Sequence, residues 1–161
     1  SIAMQDNTLY KDAMRAKGLD DAAKLQQESA SMTGTELYAE EDKIPDFAAA
    51  CDIMNMLQRP VGFVCRSSAG HVVKLLQVYD SATYPAEPEE LPAQWGFVWS
   101  TDPTKAREFV AISTSPYMTD DCCIDNGVVY RSTMDNNVWR PSEYPQGWQQ
   151  LGTMEEVMEG N

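Results

Sequence analysis

The sequence lacks any run of 18 apolar residues, so no segment is predicted to span a bilayer. Basic charge is also scarce: 12 Lys and Arg stand against 25 Asp and Glu, which gives a net charge of −13. A field of that sign repels phosphate backbones and anionic lipid, which argues against nucleic-acid and membrane partners. Residues 1–5 carry neither the basic flank nor the apolar stretch of a secretory signal. We therefore expect a chain made in a cytosol, or one whose signal has been removed.

Cysteine and histidine are scarce as well. The four cysteines are Cys51, Cys65, Cys122 and Cys123, too few for a stapled secreted domain, which favours reduced and mostly buried thiols. A metal site would have to gather Cys65, His71 and the Cys122–Cys123 pair, and without C-x-x-C spacing we predict no metal. His71 has no evident Ser or Cys partner, so we expect it at the surface or at a strand end rather than as a catalytic base.

Catalytic motifs are missing too. The sequence contains no nucleotide-binding loop, catalytic triad or metal-ligand spacing. Carboxylates are scattered along the chain, so no pair at the fixed separation that a glycosidase needs can be singled out. We therefore predict a non-enzymatic protein without a cofactor, whose 161 residues suffice for one domain or for two very small ones with an arm.

The stretch from residue 127 to 148 is the most informative part of the chain. Asn126 and Gly127 accept positive φ at little cost and precede a β-branched run, which predicts a hairpin with arms at 122–124 and 128–132. Residues 148–151 are predicted to close the unit as a short edge strand. A unit this small cannot bury all of its large aromatic residues, so at least one of them is predicted to be exposed. These aromatic residues are Tyr130, Trp139, Tyr144 and Trp148.

The order of landmarks in this stretch is Gly-x-x-Tyr, a polar loop, Trp-x-Pro and Tyr-Pro-x-Gly-Trp. It resembles the small β module of the chitinase-type carbohydrate-binding families 5 and 12, over about residues 112–152. The module usually opens with Tyr-x-x-Gly-Asp, and this chain has Thr119-Asp120 in place of Gly-Asp. The same module recurs near the C-termini of tailed-bacteriophage tail and fibre proteins, so the resemblance implies a virion component.

The resemblance also implies carbohydrate contacts. Apolar faces of pyranose rings stack on exposed aromatic side chains, while nearby amides bond the hydroxyl groups. In the second module Trp139, Tyr144, Asn136 and Asn137 would supply these contacts, and Tyr84 could do so in the first module. Tyr130 and Trp148 are expected in the core. Alternatively, Trp139 covers the core of its own module or an oligomer interface.

A looser copy of the same pattern lies upstream. Residues 70–79 match residues 127–131, and residues 91–95 match residues 144–148. The predicted fold is therefore mainly β with an α-helical N-terminal arm (α+β), with two small tandem antiparallel β modules. The predicted divisions are a helical arm over 1–43, a first module over 44–110, a second module over 111–152 and an acidic, fraying tail over 153–161.

The arm is predicted to be a helical hairpin of residues 8–16 and about 20–29, because Lys17 and Gly18 fit a helix end. Its apolar stripe is too narrow for a stable monomer and suits contact with copies of the chain, so we predict a homo-oligomer, with a trimer as the expected state. The stripe consists of Leu9, Ala13, Ala16, Ala22 and Leu25. Alternatively, the two helices lie on the surface of their own domain.

These features predict a non-enzymatic bacteriophage virion accessory protein of the fibre, spike or tail-tip type, assembled in the host cytoplasm. Its predicted partners are its own copies, other virion proteins and a host-surface glycan. Two other classes remain open: a free-standing polysaccharide-binding module, and a small cytosolic adaptor or inhibitor.

Overall fold

A long helix precedes two small β sheets in this computed structural model, which describes the backbone of residues 2–160 and the side chains of residues 7–160. The predicted α+β class, with two small sheets behind an N-terminal helix, is confirmed. The described helices are α1 (Ile2–Glu28), α2 (Gly34–Ala39), α3 (Phe47–Ile53) and α4 (Met154–Glu159).

The first sheet has three antiparallel strands in the order β1-β2-β3, and the second has four in the order β4-β5-β6-β7. β4 runs parallel to β5, while the other neighbours are antiparallel. The strands of the first sheet are β1 (Val64–Arg66), β2 (Val72–Leu75) and β3 (Trp95–Phe97). Those of the second are β4 (Arg107–Glu108), β5 (Cys122–Asp125), β6 (Val128–Ser132) and β7 (Trp148–Thr153).

The two three-stranded meanders share one register. Gly70 and Gly127 lie at the two hairpin turns with φ of +84° and +77°, values that favour glycine. The residue five positions after each glycine pairs with the closing tryptophan: Leu75 with Trp95, and Ser132 with Trp148. The residue three positions after each glycine pairs with a cysteine: Val73 with Cys65, and Tyr130 with Cys123. The paired glycines and tryptophans of the predicted repeat therefore occupy equivalent positions.

One continuous helix replaces the predicted helical hairpin, so that prediction is wrong. Gly18 lies inside α1, where a glycine costs about 1 kcal/mol relative to alanine. The Lys17–Asp21 ion pair, at 2.9 Å, spans the glycine, and no proline follows to stop the helix. Leu25 is buried against the body of the protein, whereas every described side chain from residue 7 to 20 is exposed. None of the described helices is apolar and long enough to cross a membrane.

Three short helices follow α1. α2 begins after Thr33, which forms a capping box with Glu36. α3 follows Asp46 and ends at Ile53. Residues 154–159 form α4 instead of a frayed tail, because Thr153 and Glu156 make a second capping box and Val157 is buried against the second sheet.

Both sheets contribute to one hydrophobic core. Trp95, Phe97 and Trp99 are buried, and they share a cluster with Tyr117 and Trp148. Trp99 stacks on Tyr117 with ring centroids 4.1 Å apart, which joins the first sheet to the second. β4, which the sequence placed in the first module, pairs with the second sheet.

The outer edge of β1 is covered by a side chain from α1. The Gln26 amide donates to the Val64 carbonyl at 2.8 Å and accepts from the Val64 N–H at 2.9 Å, as a neighbouring strand would. An uncovered strand edge invites pairing with other chains. Gln26 therefore both docks α1 and protects this edge of the first sheet.

Candidate functional site

The loop between β6 and β7 carries two neighbouring aromatic rings at the surface. Trp139 is 47% exposed and Tyr144 is partly exposed, with their ring centroids 5.4 Å apart and an interplanar angle of 45°. We call this pair the aromatic platform. Rings at that distance are in contact, so they present one continuous apolar surface to a ligand.

Both backbone polar groups of Trp139, its N–H and its carbonyl, are hydrogen-bonded. Its carbonyl accepts the Trp148 indole Nε1–H at 2.7 Å, and its N–H donates to Asn137 Oδ1 at 3.3 Å. Trp148 and Asn137 are both buried, so these bonds anchor the loop to the core. The exposed indole of Trp139 therefore projects from a backbone that is already ordered, which lowers the entropic cost of binding.

Asn137 supports the platform from below instead of facing a ligand. Its side chain is 0% exposed, and its amide donates to Ser132 Oγ at 3.1 Å and to the Gly147 carbonyl at 3.0 Å. The role predicted for Asn137 in bonding sugar hydroxyls is therefore wrong: a buried amide satisfied by protein groups cannot reach a surface ligand. Asn136 is exposed, as its predicted role requires, and takes positive φ at the loop bend.

Gly147 makes room for the second ring of the platform. A Cβ at this position would stand 2.8 Å from Cδ2 of Tyr144 and 3.1 Å from Nδ2 of Asn137. The absence of a side chain lets the Tyr144 ring lie against the backbone. The glycine belongs to the Tyr-Pro-x-Gly-Trp pattern. That pattern marks the residue in the sequence but does not show that it makes room for the Tyr144 ring.

A carboxylate and a guanidinium connect the platform loop to the β5–β6 turn. Asp125, 1% exposed, accepts from Arg140 Nη1 at 2.6 Å and from the Ser142 N–H at 3.0 Å. The Arg140 guanidinium also lies over the Phe109 ring at 5.2 Å. Sequence reasoning missed this tether, because nothing in the residue spacing shows that the turn and the loop meet.

Tyr84 is exposed on the loop between β2 and β3, in the first module. Among the ring contacts of the described residues, none joins Tyr84 to the platform. The structure therefore brings together Trp139 and Tyr144 alone of the three predicted aromatic contacts, and Tyr84 would form a separate site.

His71 is buried, not at the surface, although it does precede β2. Its ring is 1% exposed, with Nδ1 2.7 Å from Glu89 Oε1 and Nε2 2.7 Å from the Glu108 carbonyl. A carbonyl only accepts, so Nε2–H donates to Glu108, and Nδ1 is hydrogen-bonded to the Glu89 carboxyl group. Burial acts to raise the pKa of Glu89, but hydrogen bonds from His71 and Ser67 outweigh it and hold the pKa below its usual 4.5. This pair fastens the β2–β3 loop to both sheets.

The four thiols are free, and three of them are buried. Burial raises the pKa of each, to about 11 for Cys122, so they stay protonated and poorly nucleophilic at neutral pH. Among the described residues, no group of three or more His, Cys, Asp or Glu side chains is placed to hold a metal ion.

The predicted interface residues divide along α1. Leu9, 67% exposed, lies with Ala13 and Ala16 on the projecting part of the helix. Leu25 is 4% exposed and packs on the body of its own chain, so its predicted place at an interface is wrong in this structure, and Ala22 is half-buried beside it. The sequence stripe also omitted three exposed apolar residues on the same projecting segment, Tyr10, Met14 and Leu19.

Comparisons with known proteins give no relative of this chain: no protein-family model matches it, and no curated protein or solved structure matches it significantly. A functional interpretation therefore depends on the geometry of the platform and the pattern of its residues.

Proposed function

We propose that this chain is a non-enzymatic accessory protein of a bacteriophage virion, assembled in the host cytoplasm, and that the aromatic platform binds a host-surface glycan. The observation that carries the glycan part is the exposed Trp139 indole on a backbone held by two buried residues. An exposed indole in contact with a second aromatic ring is a surface on which the apolar face of a sugar can stack. The virion part rests on the resemblance of residues 112–152.

The binding mechanism follows from the two rings. The apolar face of one pyranose stacks on the indole of Trp139, and the tilted ring of Tyr144 borders the same sugar or the next one. The Asn136 side chain, exposed beside the platform, bonds a hydroxyl group. Because the platform is fixed before binding, the complex forms without reordering of the loop.

The projecting part of α1 supports the proposed homo-oligomer. Leu9, Tyr10, Ala13 and Met14 recur at helical spacing and are all exposed. An exposed helical segment without packing partners is only marginally helical in water, so it gains from packing against copies of itself or other virion proteins. In a trimer this segment lies at the shared axis. Light scattering on the full chain would then give a molar mass of three times 18.0 kDa.

The glycan proposal is tested by calorimetric titration with soluble N-acetylglucosamine oligomers and with polysaccharides extracted from bacterial surfaces. Trp139→Ala should weaken binding roughly tenfold or more, about 1.4 kcal/mol, and Trp139→Phe less, because it keeps a smaller ring face. Ile53→Ala, at an apolar side chain of α3 that is 78% exposed, is the control and should leave the affinity unchanged. Equal affinity of wild type and Trp139→Ala for every binding glycan would remove the platform from the proposal.

A further inference from the structure

The surroundings of the aromatic platform are acidic. Between residues 132 and 152 the sequence has two carboxylates, Asp135 and Glu143, and one cation, Arg140. Glu143 is exposed and directly precedes Tyr144, and Asp135 is exposed and directly precedes Asn136. The rest of the chain adds to this field, since the net charge is −13.

The single cation of the loop is already neutralised. Arg140 Nη1 lies 2.6 Å from Asp125 Oδ1, and its guanidinium covers the Phe109 ring. Breaking this pair would leave the Asp125 carboxylate, which is buried, without its counter-charge, a costly change. Arg140 is therefore held for the fold and is a poor partner for an anionic group on a ligand.

One carboxylate on the Asn136 side of the platform, that of Asp135, is held in place by hydrogen bonds from Thr119. Thr119 donates its N–H and its hydroxyl to Asp135 Oδ1, at 3.0 and 2.9 Å, and these bonds lower the pKa of Asp135. Asp120 and Asp135 lie near enough to Asp121 to add to the rise that burial causes in the pKa of that group. A ligand at Asn136 thus meets a cluster of carboxylates in which at least Asp135 is ionised.

We infer that the platform selects glycans by charge: sugars with free amino groups bind most tightly, neutral sugars less tightly, and sugars with carboxylate or phosphate groups least. This inference rests on the proposed glycan-binding function and names the substrate class of that site. The rings supply the apolar contact common to all sugars, and the exposed carboxylates of the same loop, Asp135 and Glu143, set the order.

The test compares three soluble oligomers of equal length in calorimetric titrations of the full chain: glucosamine, N-acetylglucosamine and galacturonic acid. Two charges at 4 Å in water interact by about 1 kcal/mol, roughly a fivefold effect on affinity. At low salt we expect each step in the order to be roughly three- to tenfold. At 1 M salt the Debye length falls to about 3 Å, and the order should largely collapse.

Substitutions of single carboxylates test which residue sets the order of affinities. Glu143→Gln should reduce the advantage of the glucosamine oligomer over the N-acetylglucosamine oligomer, and Glu143→Lys should bring the galacturonic acid oligomer up to the affinity of the neutral one. Glu28→Gln, an exposed carboxylate at the end of α1, changes the net charge by the same unit and is the matched control. It should leave the order unchanged.

The outcomes separate the two proposals. If none of the three oligomers nor any bacterial polysaccharide binds, the glycan-binding function itself is wrong. If neutral oligomers bind through Trp139 but the galacturonic acid oligomer binds equally well at low salt, only the charge selection is overturned. The same holds if Glu28→Gln shifts the order as much as Glu143→Gln does.

Discussion

The two modules place equivalent tryptophans against different partners. In the first, Trp95 Nε1–H donates to the Tyr79 hydroxyl at 3.0 Å, and Tyr79 is itself buried. In the second, Trp148 Nε1–H donates to the main-chain carbonyl of Trp139 at 2.7 Å. A side-chain partner draws the loop aromatic into the core, whereas a main-chain partner holds the loop and leaves its aromatic ring outside. The two modules therefore differ in the aromatic residue that faces the closing tryptophan: Tyr79 lies in the core, and the Trp139 ring stays at the surface.

In both modules a carboxylate links the hairpin turn to the loop before the closing tryptophan. The carboxylate belongs to the loop in the first module and to the turn in the second. In the first, Glu87 on the loop accepts from the Ser68 N–H of the turn at 2.7 Å. In the second, Asp125 at the turn accepts from Arg140 and Ser142 on the loop. In the second tether the carboxylate is buried and one of its donors is a guanidinium, so this tether contributes more to the order of its loop.

The largest expected effect comes from removing a closing tryptophan. Trp95→Ala and Trp148→Ala should each lower the free energy of unfolding by about 3–5 kcal/mol, since each deletes a large buried side chain. Both rings belong to one core, so denaturant titration should show a single transition in each variant. Trp139→Ala, at an exposed ring, should change stability by under about 1 kcal/mol. If either variant instead showed two transitions, one for the altered module and one for the intact module, the modules would fold independently.

A smaller effect is expected from the two tethers. Asp125→Asn should destabilise by about 1–3 kcal/mol, because it weakens a buried charge-assisted pair, with solvent screening of the partly exposed Arg140 keeping it below the cost of a fully buried pair. Glu87→Gln should cost under about 1 kcal/mol, because the amide oxygen still accepts from Ser68. Urea titration monitored by tryptophan fluorescence measures both. Equal costs would mean that the tethers are equivalent after all.

The smallest effect is a difference in pH dependence. The pKa of Glu89 is held below 4.5, so its contribution to stability is present above about pH 4.5 and is lost as pH falls through the lower folded value. The stability gap between wild type and Glu89→Gln should therefore narrow at acid pH. Burial raises the pKa of Asp121 above 3.8, so any penalty from its charge is relieved at acid pH. Thermal melts from pH 3 to 7 on Glu89→Gln and Asp121→Asn should show these trends, and a gap for Glu89→Gln that is constant with pH would rule out the tethering role of Glu89.

Local sequence signals predicted the second sheet best. The arms at 122–124 and 128–132 agree with β5 and β6 to within one residue, since Asn126 and Gly127 impose the turn whatever lies around them. The shared register also follows from the local sequence. In both hairpins the residue that pairs with the closing tryptophan stands five positions after the turn glycine. Three elements escaped prediction: β4, which pairs with a strand distant in sequence, the continuation of α1 through Gly18, and α4 in place of a fraying tail.

The candidate site was predicted only in part, because the local sequence pattern shows an excess of aromatic residues but not which polar side chains are buried. An excess of aromatic residues over available core signalled that one ring would be exposed, and Trp139 is that ring. Asn137 was misplaced because an amide in a polar loop has the same pattern whether it faces water or the core. Its burial depends on Ser132 and Gly147, which reach it through the pairing of β6 with β7.

The sequence by itself determined the charge of the chain, the helix before the sheets, the two hairpins and the closing tryptophans. These depend on composition and on interactions between residues close in sequence. Only the tertiary structure decided that α1 continues past Gly18, that His71 is buried between Glu89 and Glu108, and that Asp125 neutralises Arg140. Each of these depends on groups brought together by packing, and packing sets burial and partners in ways that no local pattern encodes.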